Sequence, residues 1–286
     1  MLFCLVVLCI FCSTYDSGFT LQVSVTIKSS MGVQKQVKLL DSSRFYILTA
    51  GVLASFILVG LLRVNFESDQ LYYIRLQQVM GAVSLVFWYI ALLVSPLTFI
   101  FGKKALRHVV YARRAIGVLA AYYALLHLCI ALWGQLGGIA QLGHLPELIQ
   151  ASLVLGGVAT LVLIIMAGTS FDVVVKRMTF TRWKLLHRLT YAAFVLVVLH
   201  IWMIGTHVTY TTVQYVALVA LLLLAGLESY RILMSIDKKW HFIEGKGGAL
   251  LLVIVCMAMW FALITSIPRM FDNYHSKHHE GAVHAE

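Results

Sequence analysis

Long apolar stretches alternate with short polar and basic segments along most of the chain. Each stretch has about 20 residues, which is enough for a helix to cross the hydrocarbon core of a bilayer. Backbone groups in lipid must be hydrogen-bonded internally, so such stretches form helices rather than open strands. The pattern predicts an all-α, polytopic transmembrane helical bundle with about seven spans, at residues 44–62, 77–100, 114–134, 148–168, 187–206, 211–230 and 247–267.

The segments between the spans differ sharply in charge. Eighteen of the 22 Lys and Arg residues lie in four alternate segments, 28–44, 101–114, 176–188 and 231–246. Such an excess is typical of cytoplasmic loops. It predicts a multi-pass protein of the cell (inner) membrane, with a cytoplasmic N-terminal arm, an external C-terminal tail, and parallel third and fifth spans. The net charge of +10 is explained by this topology, so nucleic acid is not an expected partner.

Composition divides the chain into four expected regions. They are an N-terminal arm at 1–43, a six-span bundle at 44–230, a cytoplasmic loop with an extra seventh span at 231–267, and an external His-rich tail at 268–286. There are two interpretations of the arm. Either it is a weak signal-like segment, or translation begins at Met31 and residues 1–30 are assigned to the protein in error. The tail either chelates copper, nickel or zinc through its histidines or is inert. No Gly-rich phosphate loop marks a site for NAD(P)H.

Three histidines lie within or at the edge of spans: His127, His187 and His200. A single intramembrane histidine can be satisfied by a neighbouring hydroxyl or carbonyl group. Three of them in two parallel helices favour haem, whose iron accepts neutral imidazole from facing helices. His127 and His200 each lie roughly 20 Å along their helix from its basic end, at 1.5 Å per residue. We therefore predict that these two are the axial ligands of one haem iron.

His187 and two arginines lie at the basic ends of the same spans. Thirteen residues separate His187 from His200, which leaves an angular offset of about 220° on an ideal helix. On an ideal helix His187 therefore faces away from His200, level with Arg113 and Arg114. It can point inward, as the ligand of a second haem, only if the helix tightens or bulges or its first turn is distorted. The arginines suit a flavin phosphate or haem propionates because guanidinium groups bind such anions in paired hydrogen bonds. The alternative for the two arginines is that they are ordinary cytoplasmic anchors, as the positive-inside rule describes.

Two strings, "RRAIGVLAAYYALLHL" and "WKLLHRLTYAAFVLVVLH", resemble the ferric reductase-like transmembrane domain family. The resemblance covers roughly residues 77–230 and is closest to the MsrQ-type haem-binding membrane subunit of the periplasmic methionine sulfoxide reductase system. It implies b-type haem with two histidine ligands, His127 and His200. It also implies that His187 serves an inner haem or the electron input. Arg113 corresponds to the position of a fourth histidine in two-haem relatives.

The function expected from these observations is that of a membrane b-type cytochrome acting as an oxidoreductase subunit. Its cofactors are haem b, one or two per chain, with FMN or a quinone on the cytoplasmic side, and no side chain is assigned a catalytic role. A cytoplasmic flavin reductase or the membrane quinol pool would donate electrons. A periplasmic methionine sulfoxide reductase-like partner, or ferric iron or another metal, would accept them.

Two features depart from the six-span members of the family, namely the seventh span and the His-rich tail. The chain also lacks the FAD and NAD(P)H domains of the larger reductases. The competing class is a non-redox transporter or an assembly factor for metal or haem, which predicts broken helices or polar residues at mid-membrane in several spans.

Overall fold

The computed structural model describes residues 31–204, 211–240, 248, 253–258 and 261–262, and the side chains among them except those at 31–43, 211–214 and 236–240. The chain divides into a unit Met1–Leu39 and a unit Leu40–Glu286. Of the first unit, the described residues belong to the beginning of one helix. Everything that follows concerns the second unit.

Every regular element named in the described part of the chain is helical, which confirms the expected fold class. The α-helices are α1 (Met31–Asn65), α2 (Asp69–Phe101), α3 (Arg107–Cys129), α4 (Glu147–Gly168), α5 (Asp172–Arg177), α6 (Phe180–Ile204) and α7 (Thr211–Trp240). Helix α3 continues as a π-helix, Ile130–Gln135, and a short 3-10 helix, Ile139–His144, follows it.

Six of the described helical segments are long and apolar enough to cross a membrane. They are Arg44–Asn65, Asp69–Phe101, Arg107–Gln135, Glu147–Gly168, Phe180–Ile204 and Tyr215–Ser235. These match the first six predicted spans. The predicted seventh, 247–267, lies largely outside the described residues, although 253–258 and 261–262 are helical. The residues 1–30 and the His-rich tail also lie outside them, so the division into four regions stays a prediction.

The helix ends differ from the predicted span ends because polar residues can continue a helix beyond its apolar part. Helix α2 begins at Asp69, whereas the apolar pattern predicted a start at residue 77. Its first turns carry Arg75, Gln77 and Gln78, which lower the local hydropathy without breaking the helix. The extra turns prove important, since the backbone of Gln77 reaches the candidate site.

The core of the bundle combines small and large residues in similar numbers. Five buried alanines line the helix contacts: Ala120, Ala121 and Ala124 on α3, Ala159 on α4 and Ala193 on α6. Small side chains allow transmembrane helices to approach closely, and dispersion contacts then stabilise the bundle. Trp88 on α2 and Phe194 on α6 fill the centre, with ring centroids 5.6 Å apart in an edge-to-face arrangement.

The helices pack as two neighbouring pairs. Helix α2 packs against α3, and α4 packs against α6, while α3 and α4 join the two pairs. One predicted ligand lies on α3 and the other on α6, so each belongs to a different pair. The join between the pairs therefore determines whether the two histidines meet.

Candidate functional site

The histidine pair, His127 on α3 and His200 on α6, comes together inside the bundle. The two ring centroids are 6.3 Å apart, and the ring planes are inclined at 84° to each other. The two rings are therefore neighbours inside the bundle, as expected from the residue count. This separation and angle lie within the range of an edge-to-face ring pair, about 4.5–7 Å, so the ring nitrogens and their partners must decide what the pair can bind.

The hydrogen bond of His127 determines which of its ring nitrogens is free. Its Nδ1 lies 2.8 Å from the backbone carbonyl oxygen of Gln77 on α2. A carbonyl oxygen only accepts, so Nδ1 must carry the proton and donate. The lone pair of the neutral ring is then on Nε2. His127 therefore presents a metal-binding nitrogen on the edge away from α2.

His200 is held in the same way by α4. Its Nδ1 lies 2.8 Å from the carbonyl oxygen of Ser152 and 3.0 Å from the hydroxyl oxygen of the same residue. That hydroxyl donates to the carbonyl oxygen of His200 at 3.1 Å, so it can accept from Nδ1. The proton of His200 again lies on Nδ1, and the lone pair on Nε2.

Each ring of the histidine pair rests against a glycine. A Cβ atom built on Gly81 would lie 2.8 Å from Nδ1 of His127, and one built on Gly156 would lie 2.9 Å from Nδ1 of His200. Real Cβ atoms essentially never come this close. The two rings can therefore reach their carbonyl partners only because these positions have no side chain.

The donor set fits haem iron. A metal–imidazole bond is about 2 Å long, so one metal between two Nε2 atoms would separate the ring centroids by roughly 6 Å. Carbonyl groups on Nδ1 are the usual outer partners of ligating histidines, because they fix the ring and raise its basicity. Among the described residues no three His, Cys, Asp or Glu side chains cluster as a metal site. Two imidazoles with a porphyrin completing the coordination are consistent with that donor set.

One further atom near the histidine pair lacks a partner. The side-chain oxygen of Gln77, Oε1, is buried and, within the described residues, has no hydrogen bond. Buried polar atoms are normally paired, so an orphan indicates a group that would lie beside it. It belongs to the residue whose carbonyl group holds His127, which places it at the same depth in the bundle as the candidate haem.

His187, the third predicted ligand, is surrounded differently. Its ring stacks on Trp183 of the same helix, with centroids 4.1 Å apart and planes inclined at 30°. Its Nδ1 donates to the Trp183 carbonyl oxygen at 3.0 Å, and its Nε2 lies 3.4 Å from the Ser170 hydroxyl oxygen. Helix α6 is continuous from His187 to His200, so the angular offset persists and the two rings do not share one gap.

Arg113 belongs to a polar cluster that surrounds the buried Glu228 and joins four helices. Its Nε donates to the Ala91 carbonyl oxygen of α2 at 2.9 Å, and its charge acts on Tyr191, Glu228 and Arg231. Glu228 accepts from Arg231 Nε at 2.7 Å and from the Tyr191 hydroxyl at 3.1 Å. From the sequence, Glu228 and Arg231 look like a simple i,i+3 pair on one helix. The structure extends this pair to α3 and α6.

The side chain of Arg114 lies in a different environment from that of Arg113. It forms an ion pair with Asp172 at 2.9 Å and lies over the Trp183 ring at 5.6 Å, while remaining about one-third exposed. Both arginines are close enough to act electrostatically on His187, as the count from the helix ends predicted. Arg114 is thus the member of this group that can be reached from outside the bundle.

The chain matches known proteins over the part that forms this site. Residues 79–198 match the family model described as the ferric reductase like transmembrane component. The match includes α3 and most of α6 and ends two residues before His200. The expected resemblance is confirmed. No solved structure matches the chain.

The relatives similar to the chain include several heme-binding subunits. The protein-methionine-sulfoxide reductase heme-binding subunit MsrQ of Deinococcus radiodurans is 40% identical over 91 residues, which are 32% of this chain and 44% of that protein. MsrQ of Polaromonas naphthalenivorans is 35% identical over 147 residues, covering 50% and 65%. The magnetosome protein MamZ of Magnetospirillum gryphiswaldense is 34% identical over 146 residues, covering 50% and 22%. The matches thus span less than two thirds of these relatives.

The sequence prediction brought His127 and His200 together but missed the groups that hold them. Gln77, Gly81, Ser152 and Gly156 lie on α2 and α4, and their spans carry no histidine. The one signal available was a polar residue followed by glycine four positions later, "QQVMG" and "SLVLG". Glycine in the middle of an apolar helix is a poor helix former, which indicates a need for space.

Proposed function

We propose that this chain is a membrane b-type cytochrome in which His127 and His200 are the axial ligands of a haem b. The observation that carries the proposal is the histidine pair itself, with centroids 6.3 Å apart and each Nδ1 committed to a backbone carbonyl group. The ferric reductase-like domain and the heme-binding subunits among the relatives support it.

When bound, haem iron supplies one-electron oxidation and reduction. The residues of this chain provide the surroundings. The carbonyl groups of Gln77 and Ser152 keep the proton on each Nδ1 and raise the basicity of each Nε2. The apolar helices exclude water and lower the local dielectric, which tunes the reduction potential of the bound group. In this proposal the protein conducts electrons and performs no acid–base step.

The electron input lies at the basic end of the bundle, around Arg113, Arg114 and His187. The positive-inside rule supports a cytoplasmic position for this end, so the histidine pair is nearer the periplasmic side. Arg114 is the residue that meets an anionic flavin phosphate, because it is accessible and its carboxylate partner, Asp172, is largely exposed. The donor is FMN served by a cytoplasmic flavin reductase, or else membrane quinol.

The acceptor is a periplasmic methionine sulfoxide reductase-like partner. This proposal follows the names of the MsrQ relatives, which are subunits of such reductases. Ferric iron or another metal ion is the alternative acceptor, which the family name suggests. A single haem is proposed for the described bundle, since the surroundings of His187 hold no second histidine among the described residues. The His-rich tail lies outside them, and its role stays a prediction.

The decisive experiment is a haem stoichiometry measured together with a reduced-minus-oxidised spectrum of the purified full chain. One haem b per chain, with a low-spin b-type α-band after dithionite reduction, supports the proposal. Two haems per chain would assign the second one to His187. Absence of haem from protein made with adequate haem supply would favour the non-redox transporter or assembly factor. Reduction by quinol, compared with a flavin reductase and NADH, then identifies the donor.

A further inference from the structure

The two members of the histidine pair are held by the same local device, repeated on two different helices. In each case a backbone carbonyl group accepts from Nδ1, and a glycine four residues further along the same helix lies against the ring. The first device consists of Gln77 and Gly81 on α2, and the second of Ser152 and Gly156 on α4. The two helix pairs, α2–α3 and α4–α6, thus present their histidines in equivalent ways.

Helix geometry explains why the spacing is four. In an α-helix the carbonyl group of residue i points toward the N–H group of residue i+4. A side chain that reaches this carbonyl group from a neighbouring helix must therefore pass close to the Cα atom of residue i+4. A Cβ atom there would lie under 3 Å from the ring at both sites. Alanine is the better helix former, so glycine is explained by the space it leaves and not by propensity.

We infer that Gly81 and Gly156 are positioning residues which, with the carbonyl groups of Gln77 and Ser152, fix the two imidazole planes nearly perpendicular to each other around one iron. This inference rests on the proposed function, because it needs the haem to be there. It adds a specific property to that function. Each ring is held by a hydrogen bond at Nδ1 and by the glycine that lies close to the same part of the ring, so neither can rotate freely about its metal bond.

The angle between the ring planes has a spectroscopic consequence. Perpendicular axial imidazoles leave two iron d orbitals nearly equal in energy, and the low-spin ferric haem then gives an electron paramagnetic resonance spectrum dominated by one feature at large g. Parallel imidazoles separate these orbitals and give a rhombic spectrum with three resolved features. The inclination of 84° predicts the first type.

The first test uses the unmodified full chain with its haem. A ferric spectrum of the large-g type supports the inference, and a rhombic spectrum from a low-spin haem overturns it. This test distinguishes a failure of the inference from a failure of the proposed function. A chain without haem contradicts the function itself, whereas a bis-histidine haem with parallel planes contradicts only the positioning role.

The second test compares glycine variants. In Gly81→Ala and Gly156→Ala the new methyl group meets an imidazole ring, while in Gly157→Ala and Gly117→Ala it meets nothing within 4 Å. We expect the first two to shift the large-g feature toward the rhombic type or to weaken haem binding by roughly ten- to hundredfold, as for other outer-sphere changes. The two control variants should match the unmodified chain. Spectra and haem content that are unchanged in Gly81→Ala and Gly156→Ala would overturn the inference.

Discussion

The histidine pair and His187 show two ways in which a membrane bundle can accommodate an imidazole. In the histidine pair each ring is held by a carbonyl group from another helix, and its second nitrogen is left for a ligand. At His187 the ring stacks on Trp183 and bonds to the carbonyl group of the same residue, one turn earlier on its own helix. Partners on a different helix orient a ring toward the space between helices. Partners on its own helix satisfy the ring locally.

This difference predicts unequal effects when the histidines are removed. His127→Ala and His200→Ala should each abolish the low-spin b-type spectrum, because one imidazole cannot hold a six-coordinate haem alone. His187→Ala should retain most of the haem, since it removes no ligand of the proposed iron. Haem per chain and the reduced α-band measure both effects. Equal loss in all three variants would show that His187 also ligates a haem.

The polar cluster offers a second contrast, in stability rather than in haem binding. Glu228→Gln should destabilise the bundle by about 1.5–3 kcal/mol, because it leaves the partly buried Arg113 and Arg231 without a compensating charge. Asp69→Asn is the matched control, since the Arg63–Asp69 pair is exposed and should be worth about 0–1 kcal/mol. Thermal unfolding in detergent measures both. If the two variants lose equal stability, the cluster does not join the four helices as described.

The two adjacent arginines should differ in their effect on flavin binding. A charge-assisted hydrogen bond is worth about 1.5–3 kcal/mol, so Arg114→Ala should weaken FMN binding roughly ten- to hundredfold and leave haem content unchanged. Quenching of flavin fluorescence by the purified chain measures this affinity. Arg182→Ala is the control, because Arg182 is a basic residue near the start of α6, at the same end of the bundle as Arg114. If both variants weaken FMN binding equally, Arg114 contributes only to the general positive charge of this end of the bundle and does not bind the phosphate directly.

The smallest expected effect concerns the hydroxyl group of Ser152. Ser152→Ala keeps the carbonyl group but removes a second acceptor for Nδ1 of His200, which lowers the basicity of that ligand. The reduction potential should rise by on the order of 40 mV, equivalent to about 1 kcal/mol for a one-electron step. Redox titration measures the shift. Ser84→Ala, which removes a buried hydroxyl bonded to the Ala120 carbonyl oxygen, should leave the potential unchanged. A lower potential in Ser152→Ala would contradict the proposed hydrogen bond.

The sequence predicts the features of this fold that depend on hydropathy and residue counting. Apolar length identifies the six described spans, and the equal distance of His127 and His200 from their basic ends predicts that they meet. The count works because both helices run in the same direction with the same rise per residue. The offset of His187 follows from the same arithmetic.

The supporting groups could not be predicted because they are mostly backbone. The carbonyl groups of Gln77 and Ser152 carry no sequence signal, and their use depends on which helices become neighbours. The same limit applies to the polar cluster, where Arg113 finds Glu228 only because α3, α6 and α7 converge. Residue identity constrains what a helix can bury, whereas the packing arrangement determines which partners it meets.

The π-helix Ile130–Gln135 begins three residues after His127 and accommodates one more residue per hydrogen-bonded ring than an α-helix. A π-helical turn holds about one residue more than an α-helical turn, so removing one residue from this stretch would restore regular winding and leave the segment beyond it in nearly the same orientation. The same removal from a regular α-helix would rotate everything beyond it by about 100°. The proposed iron ligand His127, upstream of the change, would stay where it is. Natural variants that lose a residue here should therefore keep both the proposed haem site and the surface beyond the bundle.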